Sequence, residues 1–244
     1  MRTTAIVTGH SRGLGAAIAG HLLARDVRVL GVSRNRNPDL AERFGGTLRE
    51  IEVDLADSDA LTRWITGDTM RLFLDGSESA LLVNNAGVLQ PIGPLDTQDA
   101  TAVSKAVIVN VAAPLALSAA FIAATPKARD RRILHISSGA ARNAYAGWSV
   151  YCATKAALDH HARAVVLDRT PRLRIASLAP GVIDTAMQAE IRASTKERFP
   201  DRQRFVELKQ EGTLKDAGKT GGAVVDFLLS DTFGVEAITE LSRT

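Results

Sequence analysis

The stretch "YCATK" carries a phenol and an ammonium four residues apart, Tyr151 and Lys155, within the mostly apolar run "WSVYCATKAALDHHARAVVL". On a helix that offset puts both groups on one face. A free phenol titrates near pH ~10 and is a poor acid or base at neutrality. A neighbouring cation stabilises the phenolate and lowers that value, and the N-terminal end of a helix acts in the same direction. Tyr151 stands only a few residues into its predicted helix, so both effects are available to it. It is therefore a candidate proton donor to a carbonyl oxygen, or acceptor from an alcohol. Taken alone, the pair equally describes a packed tyrosine beside a snorkelling lysine.

Companions tip the balance toward chemistry. "HISSGA" puts Ser137 and Ser138 at the C-terminal end of a predicted fifth strand, the edge where open α/β sheets bind ligands. "NNAG", Asn84 to Gly87, closes the fourth strand beside it and contributes Asn85, Ala86 and Gly87 to the same edge. Asn110 is a polar group among apolar residues, and a buried amide costs free energy unless it is bonded. Four residues on, Pro114 cannot donate to its main-chain carbonyl. A locally opened helix holding water would satisfy both groups.

After the first strand comes "TGHSRGLG", Thr8 to Gly15. Gly9, Gly13 and Gly15 let the backbone turn sharply, and the helix that follows aims its free N–H groups at the loop. Ser11, Arg12 and Leu14 fill the positions between. A diphosphate fits that geometry, although the spacing is G-x-x-x-G-x-G rather than G-x-G-x-x-G. The alternative is a tight ligand-free turn. A strand before and an amphipathic helix after favour a dinucleotide. The second strand ends in "GVSRNRN", with no carboxylate from Val27 to Pro38 to receive a ribose 2′-hydroxyl. Arg34, beside Ser33, and Arg12 instead offer guanidinium groups, which hold phosphate bidentately. NADP(H) is therefore the expected cofactor, with Arg36 read as solvent-facing. Asp54, followed by Leu55 in "VDL", either accepts from the adenine amino group or caps a helix. His10 reads as a structural or loop residue with a phosphate contact open to it.

These groups must be carried by something, and the rest of the chain supplies it. Strand-like apolar runs fall at 3–9, 27–33, 47–55, 80–87, 131–138, 173–181 and 236–241. Helical patterns fill 13–26, 58–74, 97–125, 148–169 and 216–230. Strands apolar at nearly every position, separated by helix-length segments, indicate a parallel sheet covered on both faces. The predicted fold is α/β: a single doubly wound Rossmann-type domain over residues 1–244, with a mostly parallel seven-stranded sheet. The segment 182–215 breaks the rhythm. It is long, charged, helix-prone and interrupted by Pro200, as a lid over the C-terminal edge would be.

Composition narrows the classes. The chain has 244 residues, 45% hydrophobic and 23% charged, enough for a large core. A net charge of +3 and only 5% aromatic residues argue against nucleic-acid binding, and "RDRR" at 129–132 reads as a solvated loop. The single cysteine, Cys152, excludes an internal disulfide and a cysteine-based zinc site; it is expected to face away and pack. His160 and His161 point in different directions and make a poor metal pair, while His10 and His135 read as isolated, so no metal is expected. "MRTTAIVTGH" enters a strand pattern at once, without a signal peptide's apolar core. Ala106 to Pro126 has no charge and is nearly long enough to span a membrane. Its Asn110, Pro114, Ser118 and alanine richness point instead to a helix buried between the sheet and a neighbouring subunit. No membrane is expected, and the location is read as cytoplasmic.

"TGHSRGLG", "NNAG", Asn110, Ser138, "YCATK" and "PGVIDT" resemble, in order and spacing, the short-chain dehydrogenase/reductases over nearly the whole chain. The thirteen residues from Ser138 to Tyr151 also look like that family's interval. The resemblance implies Tyr151 as acid/base, with Lys155 tuning it and anchoring the ribose. It implies Ser138 as the donor polarising a substrate carbonyl and Asn110 as part of a water-mediated proton relay. Pro180, Gly181, Val182 and Ile183 would line the nicotinamide, with Thr185 on its carboxamide, and Asn84–Gly87 would brace the fourth strand and cofactor. A narrower resemblance, running from "ISSGAARNAYAGWSVYCATKAAL" through the 182–215 segment, is to the bacterial sepiapterin reductase-like group that includes benzil reductases. Those reduce one carbonyl of vicinal diketones. The family commonly pairs the helices corresponding to 106–125 and 148–169 between subunits, so a homodimer or homotetramer is expected.

The expected activity is NADPH-dependent reduction of a ketone or vicinal diketone, with Tyr151 as proton donor. Alternatives are an alcohol dehydrogenase using NAD(H) on another carbonyl, and a dinucleotide-sensing protein with an idle site. A sugar-nucleotide epimerase relative shares Tyr-x-x-x-Lys but needs a different glycine spacing and a larger substrate domain. A hydrolase is disfavoured, since Ser138 lies in "SSG" and not in a G-x-S-x-G elbow.

Overall fold

Strands that are apolar at most positions must be covered on both sides, and the central strands of this sheet are, β1, β2, β4 and β5 being buried at nearly every residue. The computed structural model describes residues 2–241. Its strands are β1 (Thr3–Thr8), β2 (Arg28–Ser33), β3 (Leu48–Glu52), β4 (Ser79–Asn84), β5 (Asp130–Ile136), β6 (Leu173–Ala179) and β7 (Ile238–Glu240). All pair in parallel, in the order β3-β2-β1-β4-β5-β6-β7. The order reverses between β1 and β4, and the loops leaving those two strands part to open a crevice at the C-terminal edge.

The helices are α1 (Gly13–Leu23), α2 (Pro38–Phe44), α3 (Ser58–Thr66), α4 (Asp68–Leu74), α5 (Ala100–Val107), α6 (Ala113–Ala124), α7 (Ser149–Leu167), α8 (Ala186–Ala193), α9 (Arg202–Gln210) and α10 (Ala217–Leu229). Alternate strand residues face opposite layers, as the pleat requires. Val7, Leu81 and Leu134 pack with Ile18 and Leu22 of α1 and Val224 and Leu228 of α10. Ile6, Leu82 and Ile133 pack with Trp64, Phe73, Leu117 and Phe121 on the other side. The α1–α10 contact is close because Gly221 lacks a side chain; a Cβ there would lie 2.6 Å from that of Ala17.

The run "RDRR", read as a solvated loop, instead enters β5, with Arg131 and Arg132 buried and Arg132 paired with Asp130 at 2.7 Å. Three further elements differ from the sequence reading. The helix expected over 58–74 is two, separated at Gly67, whose extended backbone (ψ 171°) leaves the helical region. The helix expected over 97–125 starts at Ala100, where the Asp99 side chain caps it by accepting from the Ala102 N–H at 2.8 Å. It is then interrupted by a π-helical turn, Ile108–Ala112. A helix not expected at all, α2, follows Asn37, whose side chain accepts from the Leu40 N–H at 3.0 Å, with Pro38 in the first position. The apolar run Ala100–Ala124 is long enough to cross a membrane by length and composition, and its Ala113, Leu117 and Phe121 are wholly buried against the sheet layer. The segment 182–215 folds as α8 and α9, its ends joined by a parallel bridge between Ile183 and Lys215.

Candidate active site

The crevice is a cleft of about 1170 Å³ along the C-terminal ends of the central strands. Every residue expected to touch the cofactor lines it, from Gly9 and the glycine loop through Ser33, Arg34, Asp54, Leu55 and Asn85–Gly87 to Pro180–Ile183 and Thr185. Ser138, Tyr151 and Lys155 line it too. Asn110 stands just behind the wall, buried.

At the glycine loop, Gly9 (φ +69°) and Gly13 (φ +58°) take the left-handed conformation that favours glycine. At Gly15 a Cβ would sit 2.1 Å from the Gly9 carbonyl oxygen. Arg12, the residue that starts α1, provides no side-chain cap, so the first N–H groups of the helix remain available to an anion. Asn85 braces this loop by donating to the Thr8 carbonyl at 2.9 Å, and the Thr8 hydroxyl accepts from the Asn85 and Ala86 N–H groups at 3.0 Å each. This bare, braced cradle and its free helix end fit a dinucleotide phosphate.

Arg12, after β1, and Arg34, just past the end of β2, are exposed and make no ion pair among the described residues. Arg36 is committed to Glu52 at 2.8 Å on the surface, as its solvent-facing reading required. The Ser33 hydroxyl donates to the Asn35 carbonyl at 2.5 Å and so shapes the loop around Arg34. The cap of α3 is Asp57, not Asp54; Asp54 stays at the cleft, accepting from Ala56 N–H at 3.0 Å. His10 is fully buried and bonded to Glu50, so it does not face a phosphate.

At the reacting end, Tyr151 is the third residue of α7 and is 7% exposed. One turn on, Lys155 donates from Nζ to the Ile136 carbonyl at 2.8 Å, and its Nζ lies 5.7 Å from the Tyr151 ring centre. The Ser138 hydroxyl accepts from Ala140 N–H at 3.2 Å, starting the short turn Gly139–Ala141, and hydrogen-bonds to Tyr151. Asn110 sits in the π turn, where the main chain opens as its neighbourhood predicted. Its Oδ1 accepts from Val88 N–H and its Nδ2 donates to the Val88 carbonyl, both at 2.8 Å, and Nδ2 also reaches Thr154 Oγ1 at 3.2 Å. The amide is thus satisfied by the chain leaving β4.

The electrostatics correct one expectation. Burial pushes the Tyr151 phenol up to about 12; the Ser138 hydrogen bond opposes this and the neighbouring Cys152 adds to it. Desolvation therefore outweighs the expected lowering by Lys155, whose charge is directed at Ile136. The phenol stands protonated, the form a proton donor needs. Burial lowers Lys155 to about 8, with the Asp159 carboxylate opposing.

Two buried groups escaped the sequence reading. Asp159, one further turn along α7, accepts from the Ser137 and Ser177 hydroxyls at 2.6 and 2.7 Å, with Arg142 Nε 3.6 Å away. His135, expected to be isolated, lies 3.0 Å through Nε2 from His161 Nδ1, and its own Nδ1 receives Asn84 Nδ2 at 3.1 Å. Opposite the nucleotide end, Trp148 stacks on Phe199 (centres 4.3 Å apart, 12° between planes) and meets Tyr151 edge-on at 5.5 Å. Phe205 approaches the same indole at 5.5 Å.

A parallel sheet whose strand ends gather a bare phosphate cradle, a protonated tyrosine, a lysine and a serine defines an oxidoreductase of the alcohol–carbonyl couple. The chain belongs to the short chain dehydrogenase family, whose model matches residues 3–196. It is similar to a benzil reductase ((S)-benzoin forming) of Bacillus cereus, 34% identical over 93% of this chain and 94% of that one. It is also similar to the sepiapterin reductase of Meriones unguiculatus, 31% identical over 93% and 92%. Among solved structures, a short-chain dehydrogenase/reductase from Burkholderia vietnamiensis is 51% identical, covering 96% of this chain and 94% of its own, with a TM-score of 0.73.

Proposed function

We propose that this protein is an NADPH-dependent carbonyl reductase whose substrate is a ketone, most aptly a vicinal diketone bearing aromatic groups. The observation that carries the reading is the protonated, buried Tyr151 hydrogen-bonded to Ser138 at the mouth of β5, in the same cleft that offers Arg12 and Arg34 at its far end. The bound nicotinamide supplies the hydride. Ser138 and Tyr151 both present hydroxyls to the carbonyl oxygen, where negative charge grows as its carbon is reduced. Tyr151 then yields its proton to that oxygen. Lys155, held by Ile136, keeps a positive charge beneath the ring and faces the ribose. Arg34 and Arg12 would grip a 2′-phosphate, and Asp54 the adenine edge. The segment 182–215 acts as the lid: its Phe205 lines the cleft with Trp148, and the fully buried Phe199 stacks behind the indole, giving an aromatic wall suited to an aryl ketone. The similarity to reductases named for benzil and sepiapterin supports the dicarbonyl class. Exposed Val107, Val166 and Leu167 on α5 and α7 support pairing of two subunits through those helices.

NADPH oxidation measured against aryl diketones, pterins and quinones tests this. The fastest turnover is expected with an aryl vicinal diketone. NADPH binding without oxidation by any of these would replace the reading with dinucleotide sensing.

A further inference from the structure

His10 stands in the middle of the glycine loop, yet its side chain is 0% exposed. It lies across β2 at Gly31, where a Cβ would meet the imidazole at 2.4 Å, so a bare backbone is what admits the ring. Beneath the sheet edge, His10 Nε2–H donates to Glu50 Oε1 of β3 at 2.7 Å, and that side chain is itself only 8% exposed. The same carboxylate oxygen accepts from the main-chain N–H of Asn37 at 2.7 Å. Asn37 in turn donates through Nδ2 to the Ser11 carbonyl at 3.1 Å, returning to the glycine loop, while its Oδ1 caps α2. The circuit closes on itself. It joins the loop carrying Arg12 to the loop carrying Arg34, using a buried hydrogen-bonded set that neither loop could form alone.

We propose that His10, Glu50 and Asn37 are positioning residues that lock these two loops at a fixed separation and so set the preference of the cleft for an adenosine bearing a 2′-phosphate. None of them lines the cleft. Arg12 and Arg34 are long, exposed side chains, and two flexible cations grip one phosphate well only if their backbones are held in register. A carboxylate accepting two hydrogen bonds in a buried site fixes both donors with little freedom. The inference rests on the NADP(H) reading, which the same experiment examines separately.

Binding of adenosine 2′,5′-bisphosphate and of 5′-AMP to the whole protein is measured by calorimetry, for the wild type, His10→Ala, His10→Gln and Asn37→Ala. Thermal melts report folding. The wild type is expected to prefer the bisphosphate. His10→Ala should shrink that preference by about tenfold, Asn37→Ala should move it the same way without disturbing the buried imidazole, and His10→Gln, which can still donate to Glu50, should recover most of it. A preference unchanged in folded His10→Ala and Asn37→Ala overturns the proposal, as does equal weakening of both ligands, which would mean simple support of the glycine loop. Should either His10 variant fail to fold, Asn37→Ala decides alone. Equal binding of both ligands by the wild type removes the NADP(H) reading and this inference together.

Discussion

Lys155 Nζ donates to the main-chain carbonyl of Ile136 over 2.8 Å, from a side chain 4% exposed. That bond pins α7 to the end of β5, two residues before Ser138, and so holds Tyr151 and Ser138 in one frame. It also fixes a cation where burial disfavours it, opposed by the Asp159 carboxylate. The amine is lowered to about 8, so its charge is lost as pH rises through that value. Turnover should therefore fall on the alkaline side near pH 8. Asp159→Asn removes the carboxylate that favours the charged amine and should move this limb to lower pH. A kcat–pH profile checks it; an unmoved limb in a folded variant counts against the assignment.

Tyr151→Phe keeps the ring against Trp148 and deletes the hydroxyl that carries the proton. Turnover should drop by about 10²- to 10⁴-fold, with NADPH affinity nearly unchanged. Ser138→Ala should cost less, because Tyr151 still donates to the carbonyl oxygen. Steady-state rates paired with fluorescence titration of NADPH separate the two effects.

The cofactor end makes its own prediction. Arg36 is spent on Glu52, which leaves Arg34 and Arg12 as the cations that face the cleft beyond β2. Arg34→Asp combined with Arg12→Ala should turn a preference for NADPH into one for NADH, since a carboxylate at the end of β2 accepts from a free ribose 2′-hydroxyl. The ratio of kcat/KM for the two cofactors is the measurement. A wild type that uses both equally would remove the basis for the design.

Why so much of the cleft was legible comes down to where strands end. Glycines, "NNAG", "SSG" and "PGVIDT" each close an apolar run, and a parallel sheet brings all such ends to one edge, whatever the register. Asn110 was legible as an unsatisfied amide, but its partner Val88 lies 22 residues back in the chain and no local pattern names it. His135 and His161 meet across 26 residues, which depends on how α7 lies over β5. The same holds for Asp159 with Ser177 of β6. The helix α2 had its signals, an Asn cap followed by Pro38, but it is only seven residues long and too short for periodicity to show. The expectation for Tyr151 failed for a different reason. Spacing locates a cation, whereas the balance between charge and desolvation depends on depth of burial.

Burial also gives the protein an acid-sensitive core. His135 is wholly desolvated and lowered to about 3, with His161 and Lys155 adding in the same direction. Unfolded, it would titrate near 6.5. Between these values the unfolded chain binds a proton that the folded chain refuses, so the stability is complete above 6.5 and is lost as pH falls toward 3. The slope is at most about 1.4 kcal/mol per pH unit from this one group. Denaturant unfolding at pH 7.5 and at pH 5 should show wild type losing more stability than His135→Gln; equal losses would mean that other groups govern the acid limb.

The aromatic wall is the final test, because it joins the 182–215 segment to the reacting group. Phe199 is fully buried and stacked on Trp148, which touches Tyr151 edge-on. Next to it Gly147 adopts φ +79°, and a Cβ there would lie 2.1 Å from the Arg198 carbonyl oxygen, so the main chains of the two segments are in direct contact. Phe199→Ala should leave a cavity and cost about 3–5 kcal/mol of unfolding free energy. If the segment were a free flap, its loss of packing would leave Tyr151 untouched and only KM would rise. A docked wall predicts that kcat also falls, since Trp148 loses its stacking partner and Tyr151 its fixed neighbour. Phe199→Leu, which refills most of the volume, should restore stability more than kcat if the flat ring itself positions the indole.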